Sequence, residues 1–161
     1  MDHSAHETRP EGGRALTLLA VRATVHCLTG CAIGEVIGMV LGTALGLSNA
    51  VTIVLSVALA FVFGYSFTIG PVLRSGLALA AAVPIALAAD TASITVMEVI
   101  DNLFMVAVPG ALAAGLTDPL FWASLLASLA VAFVATVPVN RLLIARGKGH
   151  AVVHQLPPRT G

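Results

Sequence analysis

Long uncharged apolar runs dominate the chain, separated by short breaks of Ser and Asn at 48–49, Gly, Pro, Arg and Ser at 70–75, and Pro, Gly and Asp within 109–118. This pattern predicts four helices: helix 1 over 17–47, helix 2 over 50–69, helix 3 over 84–108 and helix 4 over 119–145. Residues 76–83 read as an interfacial piece, because a single helix from Leu77 to Val108 exceeds one straight span and Pro84 is well suited to a first helical turn. Asp118-Pro119 is a helix-start signal for helix 4, and Pro138 should kink or strain it. The polar stretch 1–16 and the polar, proline-containing stretch 146–161 are expected to be tails flanking a helical domain at 17–145. The first apolar run begins late, contains Glu35 and has no small-residue cleavage site of the usual kind, so no secretory signal is expected.

Within helix 1 the pattern is finer. Gly30, Gly34, Gly38, Gly42 and Gly46 recur at every fourth position, beside a second row of Cys27, Cys31, Glu35, Met39 and Thr43. On a helix such rows are adjacent stripes, one without side chains and one carrying thiols, a carboxylate and a thioether. Repeated glycine admits a neighbouring backbone in lipid, so a partner helix should pack on this stripe. Helix 3 carries two further rows: Asp90, Ile94, Glu98 and Asn102, and next to it Ser93, Met97, Asp101 and Met105. Glu35 and Glu98 fall at similar depths, so the expected arrangement packs glycine-striped helix 1 on helix 3 with both acidic faces turned inward. Helix 2 has the least chemistry and reads as scaffold.

Composition identifies the solvent. The 161 residues are 58% hydrophobic and 10% charged, and the mean hydropathy is +0.98. Each run reaches the roughly 20 residues that a bilayer core requires. The expectation is an all-α membrane protein with the lipid bilayer as its partner. A formal net charge of zero leaves no basic face for nucleic acid. Arg9, Arg14 and Arg22 precede or open helix 1, Arg74 lies between helices 2 and 3, and Arg141, Arg146, Lys148 and Arg159 close the chain, whereas the other two connections carry no Lys or Arg. Four spans put every basic residue on one side, so both termini should be cytoplasmic in the cell inner membrane. Splitting 76–108 at Asp90 into two spans would place the basic C-terminal tail outside.

Ionisable groups inside a span cost about 2.5–3.5 kcal/mol each on insertion scales and tend to mark ion or proton sites. Thiolates and thioethers favour soft metals, imidazole suits zinc or copper, and carboxylates suit harder ions. The candidate ligands for a transition metal are therefore His26, Cys27, Cys31, Glu35, Glu98, Asp101 and Asn102. Met39, Met97, Met105, Asp90, His150 and His154 are possible additions. Packing alternatives accompany these assignments: cysteine and methionine fill cores, Asp90 near a helix start would satisfy free amides, and Asn102 would bond between helices. The CxxxC spacing of Cys27 and Cys31 is neither a redox CxxC nor half of a zinc ribbon. His3, with His6 nearby, gives the N-terminus a copper- or nickel-type donor set.

The segments HCLTGCAIGE (26–35), ADTASITVMEVIDN (89–102) and PVNRLLIARGKGHAVVH (138–154) resemble the motifs of an uncharacterised bacterial membrane family, a domain of unknown function. The resemblance spans about His26 to His154. It implies a small helical membrane domain and carries no established activity.

Three functions are consistent with these residues. The first is binding and transport of copper, zinc or a similar ion through an intramembrane site of Cys, Glu, Asp and Asn side chains. The second is a non-catalytic assembly subunit docking through the glycine stripe, and the third a thiol-dependent redox or cofactor-handling protein. A soluble-type hydrolase is not expected, since GxSxG, HExxH and phosphate-loop patterns are lacking. Four spans seldom enclose a polar path alone, so a homo-oligomer is expected.

Overall fold

The computed structural model describes residues 13–74, 76 and 78–146, and these form four long helices: α1 (Gly13–Ala44), α2 (Asn49–Arg74), α3 (Leu79–Ala107) and α4 (Pro119–Ala145), with a short 3-10 turn, Ala111–Ala113, before α4. No strand occurs among the described residues. α1, α2 and α4 are each long and apolar enough to cross a membrane.

α1 starts four residues before the expected position and ends three earlier. Its end is set by Gly46, which adopts φ +63° and lets Leu47 N–H donate to Gly42 O at 2.9 Å while Gly46 N–H donates to Thr43 O at 3.2 Å. This is a Schellman closure, and the left-handed residue it needs is glycine. α2 runs through Gly70 and Pro71 to Arg74, since one missing amide donor near a helix end does not stop the helix. α3 corrects the interfacial-piece reading: it begins at Leu79 and carries Pro84 inside it. At position six the proline gives up a bond to Ala80 O, a loss that a helix packed on neighbours tolerates. α4 matches its expected bounds, and Asp118 Oδ1 caps it by accepting from Leu120 N–H at 2.8 Å.

The glycine stripe packs on α2, not on α3, which corrects the expected partner. A Cβ built at Gly30 would lie 2.7 Å from Gly64 Cα, at Gly34 2.2 Å from Ala60 N, at Gly38 2.2 Å from Ser56 Oγ and at Gly42 2.4 Å from Thr52 Oγ1. Each step of four forward on α1 is a step of four back on α2, so the two helices are antiparallel and in register. The second surface is a row that the sequence reading passed over: Thr52, Ser56, Ala60, Gly64 and Thr68. Small residues face small residues, and α1 packs more extensively on α2 than on any other element.

The interior is built from such every-fourth rows. α4 contributes Ser124, Ser128, Ala132, Thr136 and Asn140, all buried. Large apolar side chains point outward instead, among them Val54, Leu103, Leu126 and Val134, each more than 60% exposed. A polar or small interior under an apolar exterior is stable only where the surroundings are hydrocarbon.

Adding one methyl at Gly34 should therefore wedge α1 away from Ala60. Gly34→Ala is expected to destabilise the fold by roughly 1–3 kcal/mol, as overpacking does, whereas Gly70→Ala, which meets nothing within 4 Å, should be neutral. Thermal unfolding in detergent, followed by size-exclusion profile, measures both.

Candidate intramembrane polar site

Because α2 takes the glycine row of α1, the row about 60° around the helix turns toward α3 and α4. Cys27, Cys31 and Glu35 are all buried. α3 runs parallel to α1 and presents Asp90, Glu98 and Asp101, likewise buried. Three pairs form a ladder. Cys27 Sγ donates to Asp90 Oδ1 at 3.8 Å, Cys31 lies beside the Glu98 carboxyl group, and Glu35 faces Asp101, with Glu98 also near. Ile94, Met97, Ala60 and Ala132 fill the space around the two thiols. Asp90 is the twelfth residue of α3, so the reading of it as an amide cap at a helix start is corrected.

The remaining expected residues are distributed as follows. His26 sits over α2, its ring edge-on to Phe67 at 5.7 Å and Nε2 3.4 Å from Thr68 Oγ1. Asn102 uses its amide within its own helix, Nδ2 donating to Glu98 O at 2.8 Å. Met97 packs on the cysteines, while Met39 and Met105 belong to a second apolar cluster around Phe121 and Leu125. Both cysteines are free thiols. His3, His6, His150 and His154 lie outside the described residues. No group of three or more His, Cys, Asp or Glu among the described residues converges in a geometry that would hold a metal ion.

Glu98 and Glu35 are the most exceptional groups, 4% and 6% exposed, and no carboxyl oxygen of either has a hydrogen-bond partner of good geometry among the described residues. Glu35 faces Asp101. It lines a cavity with Asp101, Asn102, Ser56, Met39 and Met105 that has about 50 Å³ of room for water-sized occupants. Ser56 Oγ, against Gly38 in the α1–α2 seam, is likewise buried and without a hydrogen bond among the described residues. A water needs roughly 10–15 Å³ on this measure together with two to four polar partners. The cavity has the volume, but its exposed lining is almost wholly apolar.

Two hydrogen-bonded links absent from the sequence reading tie α3 to α4. Ser128 Oγ bonds Asp101 Oδ1 and also Leu125 O. Nearer the arginine-bearing end, Asn140 Nδ2 donates to Thr24 Oγ1 at 2.9 Å while Asn140 Oδ1 accepts from Ser93 Oγ, joining α1, α3 and α4 through one amide. The signal for both was the every-fourth row of helix 4, in which Ser128 and Asn140 stand three turns apart on one face.

The fold and site together define an all-α bundle of membrane-spanning type with an acidic, thiol-bearing seam between two parallel helices. The chain belongs to the family described as Domain of unknown function (DUF4396), which matches residues 19–149. No curated protein and no solved structure matches it.

Replacing Asn140 removes a donor and an acceptor at once, taking from Ser93 its acceptor and from α1 its bond to α4, while Thr24 keeps its bond to Ala20 O. Asn140→Ala is expected to cost about 1–3 kcal/mol, read as a lower midpoint in thermal unfolding of the detergent-solubilised protein.

Proposed function

We propose that this protein is a four-span inner-membrane protein that takes up a proton at Glu35, Glu98 and Asp101 and passes it along the seam between α1 and α3. α3, 29 residues long, is the fourth span in this reading. The up-down-up-down order brings Arg14, Arg22, Arg74, Arg141 and Arg146 to one end of the bundle, and the positive-inside rule assigns that end to the cytoplasm with both termini.

One observation carries the proposal: three carboxyl groups, Glu35, Glu98 and Asp101, are gathered in the interior, all buried, with Glu35 facing Asp101 and Glu98 near both. Three carboxyl groups gathered away from water repel one another when ionised, and no Lys or Arg lies in the sequence between Arg74 and Arg141 or between Arg22 and Arg74 to offset them. A proton supplies the missing positive charge. A proton fits this seam better than a transition metal. Each thiol is turned toward a carboxyl group, and the donor set does not converge as copper or zinc requires. The docking-subunit alternative loses its surface, because the glycine stripe is covered by α2 of the same chain.

The test is cation flux into proteoliposomes, driven by an imposed potential and read by a pH-sensitive dye for protons and by isotope uptake for metal ions. Glu35→Gln should lower the flux at least about tenfold, as removal of an intramembrane relay carboxylate would, and the surface variant Asp118→Asn should leave it unchanged. Cys27→Ser with Cys31→Ser should retain flux. Unaltered flux in Glu35→Gln defeats the proposal, and loss of stoichiometric copper or zinc binding in the double cysteine variant would restore the soft-metal reading.

A further inference from the structure

Ser128 makes two contacts with one proton. Its Oγ meets Asp101 Oδ1 across the α3–α4 interface and Leu125 O, three residues back on its own helix, at 2.8 Å. A serine hydroxyl has a single O–H to donate, and a backbone carbonyl can only accept. When the O–H points to Leu125 O, the contact with Asp101 is a hydrogen bond only if Asp101 carries a proton and donates it to Oγ. When Asp101 is ionised, it draws the O–H to itself, and Leu125 O keeps only its ordinary helical bond.

The surroundings leave this exchange to the two groups. Ser128 is fully buried and Asp101 is 5% exposed, so bulk water competes for neither. Glu35 faces Asp101 from α1, and Glu98, with Cys31 beside it, stands near on α3. The α2 row of Thr52, Ser56, Ala60, Gly64 and Thr68 holds nothing that ionises, and α4 carries no titratable side chain before Arg141. Of the three carboxyl groups, Asp101 has a hydroxyl partner, whereas Glu35 and Glu98 have no hydrogen bond of good geometry among the described residues.

We infer that Ser128 is a positioning residue for the proton site: its hydroxyl follows the proton on Asp101, accepting from the acid and donating to the carboxylate, and so holds that group facing Glu35 in both states. This deepens the proposed function and rests on it for the movement of the proton. The step served is a transfer between two carboxyl groups. The O–H bond on Asp101 breaks, one forms on Glu35, which was ionised, and the Ser128 O–H turns from Leu125 O to the new Asp101 carboxylate. Protons and charge balance within these side chains. An amide N–H would serve only the carboxylate and a carbonyl only the acid; a hydroxyl serves both.

Infrared difference spectra of the detergent-solubilised full chain between acidic and alkaline pH report protonated carboxyl groups through their C=O stretch. The Asp101 band is the one lost in Asp101→Asn. Ser128→Ala should raise the frequency of that band, because an acid O–H without an acceptor leaves a stiffer C=O bond. Ser128→Thr, which keeps the hydroxyl, should return it to the wild-type position. Ser124→Ala, one turn away on the same buried face, should leave it in place. In proteoliposomes Ser128→Ala should slow proton flux about tenfold, the rate equivalent of one hydrogen bond, with Ser128→Thr and Ser124→Ala close to wild type. If Ser128→Thr does not fold, Ser128→Cys, a weaker donor and acceptor of similar size, takes its place, with a band between those of wild type and Ser128→Ala.

An Asp101 band that Ser128→Ala leaves unmoved, or the lack of any band that Asp101→Asn removes, overturns the inference. So does a shift that neither Ser128→Thr nor Ser128→Cys reverses, since packing alone would then explain it. If the band moves and recovers as expected while Glu35→Gln leaves proton flux intact, the pairing of Ser128 with the Asp101 proton stands and the proton-passage reading falls.

Discussion

The close approach of α1 to α2 along a row without side chains sets the arrangement of everything else. Van der Waals contact, and not the exclusion of water, holds helices together in lipid, and contact at backbone distance requires glycine or residues nearly as small on both sides. Gly30, Gly34, Gly38 and Gly42 meet Gly64, Ala60, Ser56 and Thr52 in one antiparallel register. That register leaves α1 no rotational freedom. The thiol and carboxyl row beside the glycines must then face α3 and α4, whatever its own preference.

A consequence is a bundle whose polarity is reversed relative to a water-soluble one. Ser, Thr, Asn and the carboxyl groups occupy the interior in every-fourth rows, and Val and Leu cover the exterior. Each buried polar group must find a partner or an occupant, because the surrounding hydrocarbon supplies neither. Asn140 and Asp101 find theirs on neighbouring helices. The Glu35 and Glu98 carboxyl groups make no bond of good geometry among the described residues, and this difference between satisfied and unsatisfied groups separates packing from function in this molecule.

Much of this was legible in the residues. Helix 4 was bounded correctly because Asp118 and Pro119 are local signals that act within one turn. The inward face of helix 3 followed from its spacing of Asp90, Glu98 and Asp101. The ends of helices 1 to 3 were read less well, since Pro71 and Pro84 are breakers only when no neighbouring helix compensates for the missing amide bond. The polar links through Thr24, Ser93, Ser128 and Asn140 went unread for a related reason: a serine or threonine in an apolar run has no visible charge to signal that it is buried against a partner. His26 was grouped with the cysteines by adjacency, yet one residue along a helix is a rotation of about 100°, enough to carry it to α2.

The sequence by itself determined that the chain is a helical membrane domain, which helix faces carry its chemistry, and that one helix is shaped for close approach. Those properties depend on composition and on a period of 3.6 residues, both local. Only the tertiary structure decided that the glycine row belongs to α2, that Glu35 meets Asp101, and that a cavity lies between them and the loops. A stripe of small residues specifies how near a partner can come and leaves open which partner it is. That choice falls to the complementary row of Thr52, Ser56, Ala60 and Gly64, whose fit exists only when two helices are laid against each other.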